Sequence, residues 1–244
     1  AQNKPIYINI AFHKLKPGHT IDEAMAIEKR WKAVHLKRKS LGLITGWAVY
    51  PILNQYKSES VDYDYVSMNA SEDLNAITLY PDEMGAVLIK EDPSLYTLVQ
   101  DTEKVQSVIR NKITKVLEYT GSSNDMNSLV LMEAIQPTTG NNYAYLDFVK
   151  KVKSIQVDRI KAGNIQEWAL WQHLAPVSSD TPGQYTAVTF FKDLSKLDFN
   201  SSQIYINGAK KYMNMTPDQF TKWISEIRDI KQSVLLKYAV GTFN

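Results

Sequence analysis

Residues 6–15 alternate apolar and polar side chains and are closed by Pro17-Gly18, the pattern of a half-buried strand ended by a turn. Over 21–41 the spacing changes to the helical period, with Ala24, Ile27, Trp31, Val34 and Arg38 on one stripe. Gly42 then stands where a left-handed C-cap stops a helix. Two more strands are predicted over 43–53 and 63–69, joined by a polar loop. Asp92-Pro93 and Thr216-Pro217 each set a capping residue before a proline, which predicts a second helix from each point. The stretches 116–120 and 234–240 fit a terminal strand and the preceding helical period equally well.

The pattern occurs twice. Arg38, Gly42, Ile44, Trp47 and Ala48 recur 121 positions later as Arg159, Gly163, Ile165, Trp168 and Ala169. Ile10, Phe12, Leu15 and Pro17 recur at a shift of 120 as Val130, Met132, Ile135 and Pro137, and Tyr63, Val66 and Met68 at 122 as Tyr185, Val188 and Phe190. The helical stripe returns as Tyr145, Phe148, Val152, Ile155 and Arg159. A unit of this length is domain-sized and too long for a solenoid repeat. Two β-α-β-β-α(-β) repeats are therefore predicted, over 1–122 and 126–244, with a linker at Gly121-Ser-Ser-Asn-Asp125.

Strand alternation suggests two faces. One collects Ile8, Ile10, Phe12, Trp47, Val49, Val66 and Met68, with Val130, Met132, Trp168, Leu170, Val188 and Phe190 in the second repeat, and is expected to carry the helices. The other holds Tyr7, Asn9, His13, Tyr50, Tyr63, Tyr65, Ser67 and Asn69, then Glu133, Glu167, Trp171, His173, Tyr185 and Thr189. It is too aromatic for open solvent and too polar for a dry core, so the two sheets are expected to face each other across it.

The 244 residues carry a formal charge of +2, which gives no whole-molecule field to draw polyanions or membranes. With no cysteine, disulfides, zinc-thiolate sites and thiol nucleophiles are excluded. The longest apolar run, 129–135, is far below the ~20 residues of a membrane helix and contains Glu133, so no membrane insertion is expected. The opening Ala1-Gln2 reads as a mature chain after signal-peptide removal, an expectation of export to the periplasm or beyond. A basic run (Lys29, Arg30, Lys32, Lys37, Arg38, Lys39) and a partial third-strand echo in Tyr185, Val188 and Phe190 suggest RNA recognition. The run lies on a helix, however, and the glycine and basic residues that open that consensus are missing, so no nucleic-acid partner is expected.

The repeats differ in chemistry at two helix positions, Trp31 against Val152 and His35 against Gln156. An imidazole beside two indoles could orient a ligand or move a proton near neutral pH, so Trp31, His35, Arg38 and Trp47 are the ligand-pocket candidates. His13, Glu133, Arg159, Glu167, Trp171 and His173 are secondary candidates. No His-x-x-x-His or Glu-x-x-His pair is present, and no metal site is expected. Serine-hydrolase, P-loop and dinucleotide-binding motifs are absent.

Lys16-Pro17-Gly18, Trp31-x-x-x-His35, Gly42-x-x-x-x-Trp47 and Tyr63-x-Tyr65-Val66 resemble exported bacterial proteins of unknown function in the dimeric α/β-barrel superfamily. The resemblance implies an α+β fold of two tandem ferredoxin-like repeats whose antiparallel sheets pack as a pseudo-dimeric α/β barrel. It implies a small-molecule-binding protein, of which a cofactor-free oxygenase or isomerase-like enzyme is one form; a non-catalytic exported binding or interaction protein is the alternative. The tandem arrangement is also similar to that of chlorite-dismutase-like proteins, which makes haem the lesser cofactor reading, with His35 and His173 as axial candidates. RNA binding is a lesser function reading, and a homo-oligomer is an expected form.

Overall fold

The computed structural model describes residues 4–78, 90, 92–121, 128–176, 183–197 and 203–243; linker residues 122–125 lie outside them. The first repeat contains β1 (Tyr7–Leu15), α1 (Ile21–Ser40), β2 (Gly46–Lys57), β3 (Tyr65–Ser71), α2 (Leu74–Thr78), α3 (Ser94–Val105) and β4 (Gln106–Gly121). The second contains β5 (Leu129–Pro137), α4 (Asn142–Lys161), β6 (Glu167–Ala175), β7 (Tyr185–Phe191), a 3-10 turn (Leu194–Leu197), α5 (Gln203–Met213), α6 (Pro217–Ile227), β8 (Arg228–Lys237) and β9 (Val240–Gly241). The stretch 116–120 lies within β4, which is far longer than that signal, and 234–240 holds the end of β8 and the start of β9 with 238–239 between them. β4 pairs with β1 on one side and β6 on the other, and these ladders override its helix-like spacing.

Local chemistry sets the helix ends. Thr20 and Glu23 form a reciprocal capping box at the start of α1, and Thr216 and Gln219 form another before Pro217 in α6. After α1 the chain turns at Gly42 (φ +72°), where Leu43 N–H donates to Arg38 O. After α4 it turns at Gly163 (φ +71°), where Asn164 N–H donates to Arg159 O. The same cap therefore ends the first long helix of each repeat.

The strands follow the order β3-β1-β4-β6-β7-β5-β8-β2, and β2 also pairs with β3, so the antiparallel sheet closes on itself. Each repeat supplies four consecutive strands. β4 joins the second repeat through β6, and β8 joins the first through β2, as in a dimer fused into one chain. The expected pseudo-dimeric barrel of ferredoxin-like repeats is therefore formed within a single molecule.

The face assignment needs correction. Ile10 pairs with Met68 and Met68 with Ala48, so Ala48 and Tyr50, not Trp47 and Val49, share a face with Ile8, Ile10, Phe12 and Met68. These residues, with Val66, Val130, Met132, Ala169, Trp171, Val188, Val234 and Leu236, fill the barrel interior, and Phe190 packs against them. Trp47, Val49 and Tyr65 face outward under α1 and α3, while Trp168, Leu170 and Tyr185 lie under α4, α5 and α6. Asn9, His13, Ser67 and Asn69 also sit on the helix side, each registered opposite another outward residue. A one-residue slip between strands exchanges every side chain between faces, and here both faces are buried, so alternation alone could not fix the register.

Tyr50 and Trp171 are each 4% exposed and lie inside the barrel, not on an open sheet face. No helix among the described residues is long and apolar enough to cross a membrane.

Candidate functional site

A cavity of about 660 Å³ opens at the barrel end where β1, β2 and β6 begin and β3, β4 and β7 finish. Ile6, Ile8, Met68, Ala70, Val116 and Ala169 line it together with five aromatic rings, Tyr50, Tyr119, Trp171, Phe190 and Phe243. Tyr50 and Trp171 are the equivalent residues of the two repeats, so the pseudo-twofold axis itself places an aromatic pair across the opening. The volume and the mainly apolar lining with a few polar groups suit a small molecule of two or three rings.

The polar groups gather at the mouth. Tyr119 and Glu167 both line it, and the Tyr119 hydroxyl is held above the usual phenol range by burial, then by the neighbouring Glu167 carboxylate. The Tyr50 hydroxyl is also raised, foremost by burial, then by Tyr238 and Glu167, and so stays protonated; its ring meets Tyr238 edge-on at 5.9 Å. On the rim Lys4 pairs with Glu72 at 2.9 Å, and Lys39 Nζ donates to the Thr242 carbonyl at 2.7 Å.

The mouth is asymmetric. Gly46 is the first-repeat equivalent of Glu167, and a Cβ on it would overlap the Phe243 ring. The first repeat thus leaves room for a covering phenyl group where the second presents a carboxylate. Thr242 holds that segment in place, its N–H donating to Trp47 O at 2.7 Å while its hydroxyl accepts from Trp47 N–H at 3.0 Å.

The pocket candidates Trp31, His35, Arg38 and Trp47 do come together, but beneath α1 on the outer side of the sheet. The His35 ring stacks on Trp47 at 4.2 Å, and Trp31 Nε1 donates to Thr102 at 2.9 Å. Arg38 donates to His35 Nδ1 at 3.1 Å and to Asn69 Oδ1 at 3.0 Å. A guanidinium has only donors, so Nδ1 must accept and the ring proton sits on Nε2. Burial, then the Arg38 charge, push the His35 pKa down to about 3. These four residues form a packed, hydrogen-bonded cluster and none lines the barrel cavity.

The secondary candidates scatter. Glu167 and Trp171 line the cavity. His13 is buried on the outer side, stacked on Tyr65 at 4.2 Å and bonded through Nδ1 to Gln106 and through Nε2 to Ser67, both at 2.9 Å. Burial brings its pKa down to about 4. Tyr65 in turn donates to Glu28 at 2.7 Å, and burial pushes that carboxyl up to about 7. His173 lies in the barrel interior, its Nε2 at 2.7 Å from Thr186 Oγ1. Arg159 is buried under α4, donates to Gln156 Oε1 at 2.7 Å and lies 5.2 Å over the Tyr205 ring. Glu133 is raised by burial against the opposing charges of Arg228 and Arg159. No three metal-ligating side chains converge among the described residues.

Sequence reasoning named Glu167 and Trp171 but missed Tyr50 as a site residue, and it missed Tyr119 and Phe243. One signal was available: the repeat register sets Glu167 against Gly46, a chemical difference as sharp as His35 against Gln156.

No family model and no curated protein matches this chain. Among solved structures it is similar to a candidate monooxygenase of Fusobacterium nucleatum subsp. nucleatum ATCC 25586, with a TM-score of 0.57 and 12% identity. That match covers 100% of this chain and 96% of the other. It is also similar to two variants of the chlorite dismutase of Candidatus Nitrospira defluvii. The lysine variant gives a TM-score of 0.54 at 7% identity over 97% and 92% of the two chains. The glutamate variant gives 0.51 at 7% over 96% and 91%. At such identities the likeness is one of fold, the ferredoxin-like dimeric α/β barrel.

A haem takes an axial ligand on its iron. No histidine lines the cavity; His13 uses both ring nitrogens, His35 Nδ1 accepts from Arg38, and His173 Nε2 is bonded to Thr186. These residues do not fit a histidine-ligated haem in this cavity.

Proposed function

We propose that this chain binds a flat, mostly apolar small molecule inside the barrel mouth, its rings between Tyr50 and Trp171 and its polar edge at Glu167 and Tyr119. The single observation that carries the reading is a 660 Å³ cavity walled by five aromatic rings with its polar groups gathered at one end. Aromatic contact supplies most of the affinity, since each large ring buried against a ligand contributes both area and preferred stacking geometry. The chemistry that such a site supports by itself is proton transfer at the Glu167 carboxylate; a binding role without turnover uses the same contacts. The fold shared with the monooxygenase and chlorite dismutase structures supports a small-molecule site of some kind and does not choose the reaction.

The reading is tested with 2-methoxynaphthalene, which has rings and no hydrogen-bond donor. At about ten times its Kd it should raise the melting temperature by about 3–5 °C, because binding the native state adds RT ln(1 + [L]/Kd) to stability. Ala70→Trp, or the milder Ala70→Leu, fills the cavity from its wall and should abolish the shift while circular dichroism stays native. An undiminished shift in both filled variants places the ligand elsewhere.

A further inference from the structure

We propose that the barrel mouth takes planar aromatic carboxylates, with Lys39 as the residue that recognises the anionic end. The inference rests on the cavity reading above and names its ligand class.

Three observations carry it. First, Lys39 lines the cavity, and among the described residues its Nζ is bonded to a neutral group, the Thr242 carbonyl at 2.7 Å. An ammonium has three N–H donors, so one bond to a neutral oxygen keeps its charge in place and leaves donors for a ligand. The position itself favours a cation, since Lys39 stands in the last turn of α1 at the negative end of the helix dipole. Second, the ammonium is tethered beside an aromatic wall. Thr242 is anchored to Trp47 by its N–H and by its hydroxyl, and its carbonyl lies one peptide bond from Phe243, whose ring lines the cavity over Gly46. A flat ligand laid against that ring can present a carboxylate at the partly open rim, where the ion does not have to leave water completely. Third, the cation stands on one side only. The second-repeat equivalent of Lys39 is Ile160, packed in that repeat's helix–sheet core, and β2 and β6 lie on opposite sides of the closed sheet. The first-repeat seam also has Gly46 where the second has Glu167, and the other acid of the lining, Glu72, is paired with Lys4 at 2.9 Å. A pseudo-twofold barrel would otherwise offer a flat ligand two equivalent orientations; Lys39 selects the one that sets the anionic end beside β2.

Calorimetric titration of the full chain at neutral pH with two compounds on one ring system isolates the charge: 2-naphthoate carries it, and methyl 2-naphthoate has it capped. 2-Naphthoate should bind about ten-fold more tightly than its ester, the worth of one charge-assisted hydrogen bond at a partly open site. Lys39→Gln removes the charge and keeps an amide donor for the Thr242 carbonyl. It should weaken 2-naphthoate about ten-fold and leave the ester unchanged. Lys39→Arg, which restores the cation, should recover most of the 2-naphthoate affinity. Equal affinities in the unmodified chain, an advantage of 2-naphthoate that survives Lys39→Gln, or an equal loss of both compounds in that variant overturns the assignment of Lys39 and leaves the cavity reading standing. Failure of both compounds to bind the unmodified chain overturns the cavity reading and this inference with it.

Discussion

Acidification should unfold this chain well above the pH at which most carboxylates titrate, and the buried histidines are the cause. His13 and His173 are 5% and 6% exposed, and burial brings each down to about 4, with Lys112 adding to the effect at His173; His35 is pushed to about 3. In the unfolded chain these rings take up protons near 6.5. Between 6.5 and 4 the unfolded state therefore binds more protons than the native one. The stability that neutral rings provide is fully present above about 6.5 and is lost as the pH falls. A drop from 6.5 to about 4 corresponds to roughly 3 kcal/mol for each of His13 and His173, a large share of the roughly 5–15 kcal/mol that keeps a domain folded. His35 is partly open to solvent and contributes less than its own displacement would imply. Glu28 acts in the opposite sense. Its carboxyl, 4% exposed, is raised to about 7, so its contribution is complete below about 4.5 and disappears as the pH rises through about 7. Urea unfolding at a series of pH values should show greatest stability near 6.5. His35→Gln, the residue of the second repeat, should protect at pH 5, and Glu28→Gln should stabilise by up to about 3 kcal/mol at pH 8 and do nothing at pH 4. A flat profile from pH 4 to 8 contradicts the buried neutral histidines.

Arg159→Ala should cost about 3–5 kcal/mol, whereas Arg38→Ala at the equivalent helix position should cost about 1–2 kcal/mol. Arg159 is 2% exposed and among the largest fully buried side chains; its removal leaves a hole under α4 and deprives Gln156 Oε1 and the neighbouring Glu133 of their cation. Arg38 is partly open to solvent and gives its hydrogen bonds to neutral partners, His35 and Asn69, which water can replace in part. Denaturant midpoints of the two variants test the contrast, and equal losses would mean that the second-repeat network carries no more than the first.

The double β-α-β-β-α pattern was legible because its markers are local. A glycine at a left-handed cap and a strand tryptophan five positions on mark the same turn in both repeats, as Gly42 and Trp47 and as Gly163 and Trp168. Strand faces were less legible. Trp47 beneath α1 and Tyr50 inside the barrel are equally enclosed, so hydrophobicity does not tell inward from outward when a sheet is covered on both sides. The helix α5 went unread. It carries Gly208, a poor helix former, where a Cβ would lie 2.7 Å from Ile155, so that close approach to α4 outweighs propensity. The cavity had no local signature at all. Its lining joins Ile6 and Ile8 to Tyr119, Glu167 and Phe243, residues that meet only after the ring of strands closes.

Fluorine NMR of the chain labelled with 5-fluorotryptophan tests the central claim most directly, because the five indoles report from separate places. Trp171 lines the barrel cavity, Trp31 and Trp47 lie beneath α1, and Trp168 and Trp223 pack in the second repeat's helix–sheet seam. Titration with 2-methoxynaphthalene should move the Trp171 resonance, identified by its loss in Trp171→Phe, and leave Trp31 and Trp47 in place. Movement of Trp31 and Trp47 with Trp171 unmoved would put the ligand under α1 beside His35 and contradict a binding site in the barrel mouth.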